Sequence, residues 1–191
     1  MRKAALAASL LLLPVALSSQ RGTGHLRDSF DDSLGTLARA RTIQQLSSLW
    51  ATAPRDYPHR AVYAALYFKL GVANQDVVLL NAMPSDGKEM ETFYNAQDTR
   101  QGQDKAVTEA YSEFYPALAG AVARHPQKLP KFLRMIHAFH FVDNVDESPW
   151  LCGLASGIYH ANPDEYLKAV QQVEPGFREE SLACKQPPDA P

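Results

Sequence analysis

Apolar residues recur every three or four positions along most of the chain, which is the spacing of amphipathic helices. The pattern is clearest between Leu129 and Val173, where a central helix is predicted at about 131–143. No stretch alternates with a period of two between hairpin turns. The pattern therefore predicts an all-α fold, either an irregular helical bundle or a short, helical-repeat-like α-solenoid, with roughly eight to ten short helices.

Start and stop signals place these helices. Ser148 followed by proline begins one helix, and Asn162 with Glu165 forms a capping box for the next. Thr42 with Gln45 forms a second capping box, for a helix in the first half of the chain. Asp104 is predicted to cap an earlier helix that Pro116 interrupts or restarts.

Two glycines, Gly153 and Gly157, lie one turn apart in the helix that follows Ser148. Each costs about 1 kcal/mol of helix stability relative to alanine. A neighbouring backbone that approaches closely would offset that cost. We therefore expect both glycines to face another helix, with the helix at about 131–143 as the first candidate because consecutive elements usually pack together.

The N-terminus has the features of a secretory signal peptide. Arg2 and Lys3 precede an apolar run that is too short to span a bilayer, and a small-x-small cleavage pattern follows at residues 16–18. We expect export to the bacterial periplasm or the extracellular medium, with no stable membrane span. The chain then divides into a cleaved signal peptide at 1–19, a flexible segment at 20–27, a single all-α domain at 28–184 and a disordered tail at 185–191.

Charge and cysteine content narrow the function further. Removing Arg2 and Lys3 from the 19 basic residues leaves 17 against 21 acidic ones, a balance that disfavours nucleic acid as a partner. Cys152 and Cys184 are the only cysteines. In an exported protein such a pair predicts a disulfide, and two unpaired thiols are the alternative.

One group of residues could bind a metal. His137 and His140 lie one helical turn apart and Asp143 a turn further, so two imidazoles and a carboxylate could share one side of a helix and hold zinc. The run from His140 to Asp143 resembles a motif of the secreted zinc nucleases and phospholipases C, in which a metal-binding histidine is followed by an aspartate. That family spaces the two residues by four positions, whereas here they are three apart. Alternatively, the two histidines are hydrogen-bonded packing residues and the protein has no cofactor. His160 could join a metal site only if its helix turns back against the helix at about 131–143.

No other catalytic signature is present, and the serines lack a G-x-S-x-G context. The sequence thus favours an exported helical module that binds another protein, as an inhibitor, immunity factor or assembly helper. The alternatives are a metal-dependent hydrolase that uses His137, His140 and Asp143, and a carrier for a small apolar ligand. The sequence does not decide whether the protein is an enzyme, although the lack of a complete catalytic signature argues against it.

Overall fold

The computed structural model describes residues 33–86, 88–89, 104–140 and 148–185. These ranges are mostly helical and contain no strand, which confirms the all-α prediction. The predicted signal peptide (1–19), the segment 20–27 and the tail beyond Lys185 lie outside them. The elements are α1 (33–38), α2 (Ile43–Thr52), α3 (Tyr57–Lys69), α4 (Gln75–Ala82), α5 (Lys105–Arg124), a 3₁₀ turn (Pro126–Lys128), α6 (Leu129–His140), α7 (Ser148–Ala161), α8 (Pro163–Val170) and α9 (Pro175–Ala183).

The centre of the bundle is the packing of α3 against α5, with α4 against both. Tyr57 and Phe114 are fully buried there and meet edge to face, with ring centroids 6.4 Å apart. The hydroxyls of Tyr57 and Tyr115 are 3.0 Å apart, so the buried phenols hydrogen-bond to each other. Burial raises the pKa of Tyr57 well above its ordinary value, although the bond to Tyr115 opposes the shift. The most extensive packing is thus upstream of the predicted central helix.

The predicted capping residues account for several helix starts. Thr42 Oγ1 accepts the backbone N–H of Gln45, and Asn162 Oδ1 accepts that of Glu165. Asp104 caps α5 through the backbone N–H of Ala106. The predicted break at Pro116 is wrong, since α5 continues through it. Pro116 lies on the solvent-exposed side of α5, where water can satisfy the carbonyl that loses its intrahelical partner.

The second half of the chain is a smaller group of helices, α6 to α9, which contacts α5 mainly through α7 and also through α6. Phe132, Leu133 and Ile136 of α6 are buried, as the helical stripe predicts. Among the described residues no helix is both long enough and apolar enough to cross a membrane.

The predicted disulfide between Cys152 and Cys184 is present, with a Cα–Cα distance of 4.7 Å. It joins α7 to the residue that caps the C-terminal end of α9. Ser156 adds a second link, because its hydroxyl donates to the carbonyl of Lys185 at 3.2 Å. The C-terminal helix is therefore fixed to α7 both covalently and by a hydrogen bond.

The expectation for the two glycines of α7 is wrong. A Cβ built on Gly153 or on Gly157 meets no heavy atom within 4 Å in the described part of the chain. Gly157 is exposed and Gly153 is half-buried, so neither allows α6 to approach closely. The side of α7 that packs is the other one, with Leu151, Ala155 and Ile158.

Candidate functional site

Of the four residues considered for metal binding, the structure describes the side chains of only His137 and His160. The side chain of His140 and all of Asp143 lie outside the described residues. His137 is fully buried on α6, whereas His160 is exposed near the end of α7. Within the described ranges no three His, Cys, Asp or Glu side chains come close enough together to hold a metal ion. The three-residue zinc site therefore remains a prediction.

His137 has a hydrogen-bond partner for each ring nitrogen. Its Nδ1 lies 2.7 Å from Glu180 Oε2 and its Nε2 lies 2.7 Å from Ser181 Oγ. Both partners belong to α9, and Phe177 of the same helix stacks on the imidazole with ring centroids 4.9 Å apart. To bind a metal, the imidazole would have to exchange one of these hydrogen bonds for a coordinate bond.

The set Ser181–His137–Glu180, which we call the buried relay, has the connectivity of a serine-hydrolase triad. Catalysis requires the serine to be accessible to a substrate, but in the buried relay the carboxylate is exposed and the serine is not. Ser181 is only 1% exposed, whereas the side chain of Glu180 is 46% exposed. The Ser181 carbonyl also accepts the hydroxyl of Tyr166 at 2.8 Å. A nucleophile buried in this way cannot reach a substrate, so the buried relay attaches α9 to α6.

A second set of the same kind, Ser33–His59–Asp56, lies in the first half of the chain, and we call it the accessible relay. Ser33 Oγ is 2.9 Å from His59 Nε2, and His59 Nδ1 is 2.8 Å from Asp56 Oδ1. His59 is fully buried, the side chain of Asp56 is 25% exposed, and Ser33 is partly exposed at the described start of α1. Here both the serine and the carboxylate are partly exposed, and only the imidazole between them is fully buried.

The local backbone fixes the orientation of His59. Asp56 is the N-cap of α3, and its Oδ1 also accepts the backbone N–H of His59 at 3.1 Å. We assign the proton of the neutral imidazole to Nδ1, because a carboxylate can only accept a hydrogen bond. Nε2 is then left as the acceptor for the hydroxyl of Ser33. This is the arrangement that activates a serine as a nucleophile.

Packing holds Ser33 in place from the side of α1. Leu34 and Leu37 are fully buried, and a Cβ on Gly35 would approach Asp104 Oδ2 to 2.7 Å. That carboxylate also accepts a hydrogen bond from Arg39 at 2.7 Å. A side chain at position 35 would therefore have to displace the ends of Asp104 and Arg39, so glycine lets α1 pack beside this ion pair in its present geometry. This packing helps to set the position of Ser33.

The third feature is an aromatic surface on α2 and α3, which we call the aromatic ladder and define as Trp50, Tyr63, Tyr67 and Arg55. Trp50 stacks on Tyr63 with centroids 4.3 Å apart, and Tyr63 contacts Tyr67 at 5.6 Å. The guanidinium of Arg55 lies 4.0 Å from the centre of the Trp50 ring. Burial raises the pKa of Tyr63 and Tyr67 raises it further, whereas Arg55 lowers it. All three rings are only half-buried, so their edges remain open to a partner.

Sequence reasoning missed the accessible relay, because Ser33 is 26 residues away from His59. The pattern Asp56-x-x-His59 could have predicted the Asp56–His59 contact, because an N-cap aspartate and a histidine three positions later share a helical turn. The spacing of the tyrosines in α3 does not show which of them are buried. In the structure Tyr57 belongs to the core, while Tyr63 and Tyr67 form part of the ladder.

No family model, curated protein or solved structure matches this chain.

Proposed function

We propose that the protein is an exported helical module that binds another protein through the aromatic ladder. The observation that carries this proposal is the half-exposed stack of Trp50 on Tyr63 with Arg55 above it. Tryptophan, tyrosine and arginine are the residue types that dominate binding energy at protein interfaces. The stack is also ordered in advance by ring contacts, so binding would lose little side-chain entropy.

The exposed apolar surface extends along α2. Ile43 is 40% exposed and lies two helical turns from Trp50, on the same face of the helix. Leu49 and Trp50, near the C-terminal end of α2, are half-buried. A partner could therefore cover one face of α2 together with the adjoining rings of α3.

Charge suggests the chemistry of that partner. Residues 33–55 contain Arg39, Arg41 and Arg55 but no aspartate or glutamate. Arg39 is paired with Asp104, whereas neither Arg41 nor Arg55 has an ion pair within the described residues. The chain as a whole is mildly acidic, so this surface is a local exception. We infer that the partner presents a peptide segment with a carboxylate beside an apolar side chain, which would fit the Arg55–Trp50 pair.

The test is selection of peptides on the purified mature protein. A random peptide library displayed on phage would be depleted on the Trp50→Ala variant and then enriched on the wild type. We expect acidic peptides with an adjacent apolar residue, whose affinity falls about tenfold or more in Trp50→Ala and in Arg55→Ala. Val77→Ala is the matched control, because Val77 is an exposed apolar residue on another helix, 53% exposed, and its removal should leave affinity unchanged.

Two results would overturn the proposal. One is a set of enriched peptides that bind Trp50→Ala or Arg55→Ala as well as the wild type. The other is sedimentation showing that the wild type self-associates while Trp50→Ala is monomeric, because the ladder would then be occupied by a second copy. Circular dichroism and a thermal melt of each variant show that it is folded before its affinity is compared.

The two alternatives stay predictions. A metal-dependent hydrolase at His137, His140 and Asp143 is tested by metal analysis of the native protein beside His140→Ala. Stoichiometric zinc that is lost in the variant would favour it over the binding module. A carrier of a small apolar ligand would copurify with that ligand in amounts detectable by mass spectrometry of the extracted protein.

A further inference from the structure

The accessible relay has a chemistry that the binding proposal does not use. We propose that Ser33 is a nucleophile for acyl transfer from small carboxylic esters, activated by His59 and oriented through Asp56. This inference is independent of the aromatic ladder. It rests on the two hydrogen bonds of 2.9 and 2.8 Å and on the partly exposed position of the serine.

The reaction can be written with these groups alone. Ser33 Oγ forms a bond to the ester carbonyl carbon while its proton moves to His59 Nε2. The tetrahedral intermediate then loses the alkoxy group, which leaves as an alcohol with the proton from His59. Water adds to the acyl-serine by the same route and releases the carboxylic acid, which restores the hydroxyl of Ser33. No oxidant, metal or co-substrate other than water is required.

The geometry explains each role. Asp56 Oδ1 accepts both the ring N–H and the backbone N–H of His59, so the imidazole has little freedom to rotate. The carboxylate would stabilise the imidazolium that forms when Ser33 loses its proton. The imidazole is fully buried, which keeps water away from the proton-transfer path. Because Ser33 is only partly exposed, small acyl groups should react and bulky ones should not.

The buried relay provides an internal comparison within the same molecule. It has the same three kinds of groups at similar distances, with 2.7 Å on each side of His137. Its serine is 1% exposed, so it cannot be approached by a substrate. If hydrogen-bond geometry alone made a serine reactive, Ser181 would react as well. The proposal requires that only Ser33 does.

A fluorophosphonate probe tests this directly, because it modifies serines that a histidine activates. The purified mature protein would be treated with the probe, and the modified serine located by peptide mass spectrometry. We expect one adduct per chain at Ser33, absent in Ser33→Ala and unchanged in Ser181→Ala. Hydrolysis of p-nitrophenyl acetate should show a burst of one acyl group per chain that Ser33→Ala removes.

Asp56→Asn distinguishes a positioning role of Asp56 in catalysis from a structural one. Asparagine caps helices about as well as aspartate, so the melting temperature should change little. An amide cannot stabilise the imidazolium as a carboxylate does, so the rate of labelling at Ser33 should fall by about 100-fold or more. The proposal is overturned if the folded wild type forms no adduct at Ser33, or if Asp56→Asn is labelled at the wild-type rate.

Discussion

Gly157→Ala is expected to stabilise the protein, because the glycine occupies the helical interior of α7 without any packing benefit. Gly157 is four residues from the end of the helix at Ala161, and it lies on the solvent-exposed side of the helix. A Cβ at this position meets no heavy atom within 4 Å in the described ranges. The methyl group therefore adds no strain, and its effect comes from helix propensity and from a less flexible unfolded chain.

The size of the effect follows from those two causes. Alanine is favoured over glycine by about 0.8–1.0 kcal/mol in a helix interior, and somewhat less near a helix end that frays. We therefore expect a gain of about 0.5–1 kcal/mol in the free energy of unfolding. For a chain of this size that gain raises the melting temperature by about 1–4 °C.

Gly71→Ala is the matched control, because a Cβ there also meets no heavy atom within 4 Å among the described residues. The difference is conformational, since Gly71 has φ +65° and follows the end of α3. Its N–H bonds to Phe68 O, and the N–H of Val72 bonds to Tyr67 O, which is the Schellman arrangement. Alanine in this left-handed conformation should cost about 1–2 kcal/mol.

Differential scanning calorimetry of the two variants and the wild type measures whether Gly157→Ala raises the melting temperature and Gly71→Ala lowers it. The two substitutions add the same methyl group to open space, so opposite signs would isolate the backbone conformation as the cause. A lower melting temperature for Gly157→Ala would refute the reasoning. It would mean that another segment of the chain, or a second copy, packs against this side of α7.

Two further perturbations have defined outcomes. Replacing both Cys152 and Cys184 by serine should lower the free energy of unfolding by about 3–4 kcal/mol for a sequence separation of 32, and an unchanged midpoint in urea would contradict this. Between α4 and α5, a hydrogen bond from Arg124 holds the pKa of Asp76 below its ordinary value of 3.8, with burial opposing this shift and His125 assisting it. That stabilisation is complete above the ordinary carboxyl pKa and is lost as the pH falls through the lower folded-state pKa. The melting temperatures of wild type and Asp76→Asn should therefore differ at about pH 6 and converge towards about pH 2, whereas a constant difference would refute the linkage.

The helices could be predicted from the sequence because their causes are local. Apolar spacing acts over a few residues, and so do N-caps such as Thr42 and Asp104. The disulfide could be predicted because the chain has only two cysteines to pair. The errors occurred where local signals are ambiguous. Pro116 can be tolerated inside a helix when it faces solvent, and exposure is decided by the fold. Gly157 has no side chain, so nothing in the pattern distinguishes a packed glycine from an exposed one.

The candidate site was less predictable, because its chemistry depends on residues far apart in sequence. The partners of His137, Glu180 and Ser181, are 43 and 44 residues away. Ser33 is 26 residues from His59. The spacing His137-x-x-His140 is visible in the chain and is compatible with either a metal site or hydrogen-bonded packing residues. Spacing cannot reveal that α9 supplies a carboxylate and a hydroxyl to one of the two imidazoles.

The two relays show why connectivity alone does not define a function. In each, a fully buried imidazole could not remain without partners, since an unsatisfied ring nitrogen in the core costs about 1–3 kcal/mol. A serine and a carboxylate together satisfy both ring nitrogens, because the hydroxyl donates to one nitrogen and the carboxylate accepts from the N–H of the other. A buried histidine can therefore acquire this arrangement for stability alone, as His137 does between α6 and α9. What separates His59 from it is the solvent accessibility of the attached serine, and a chemical probe measures that property directly.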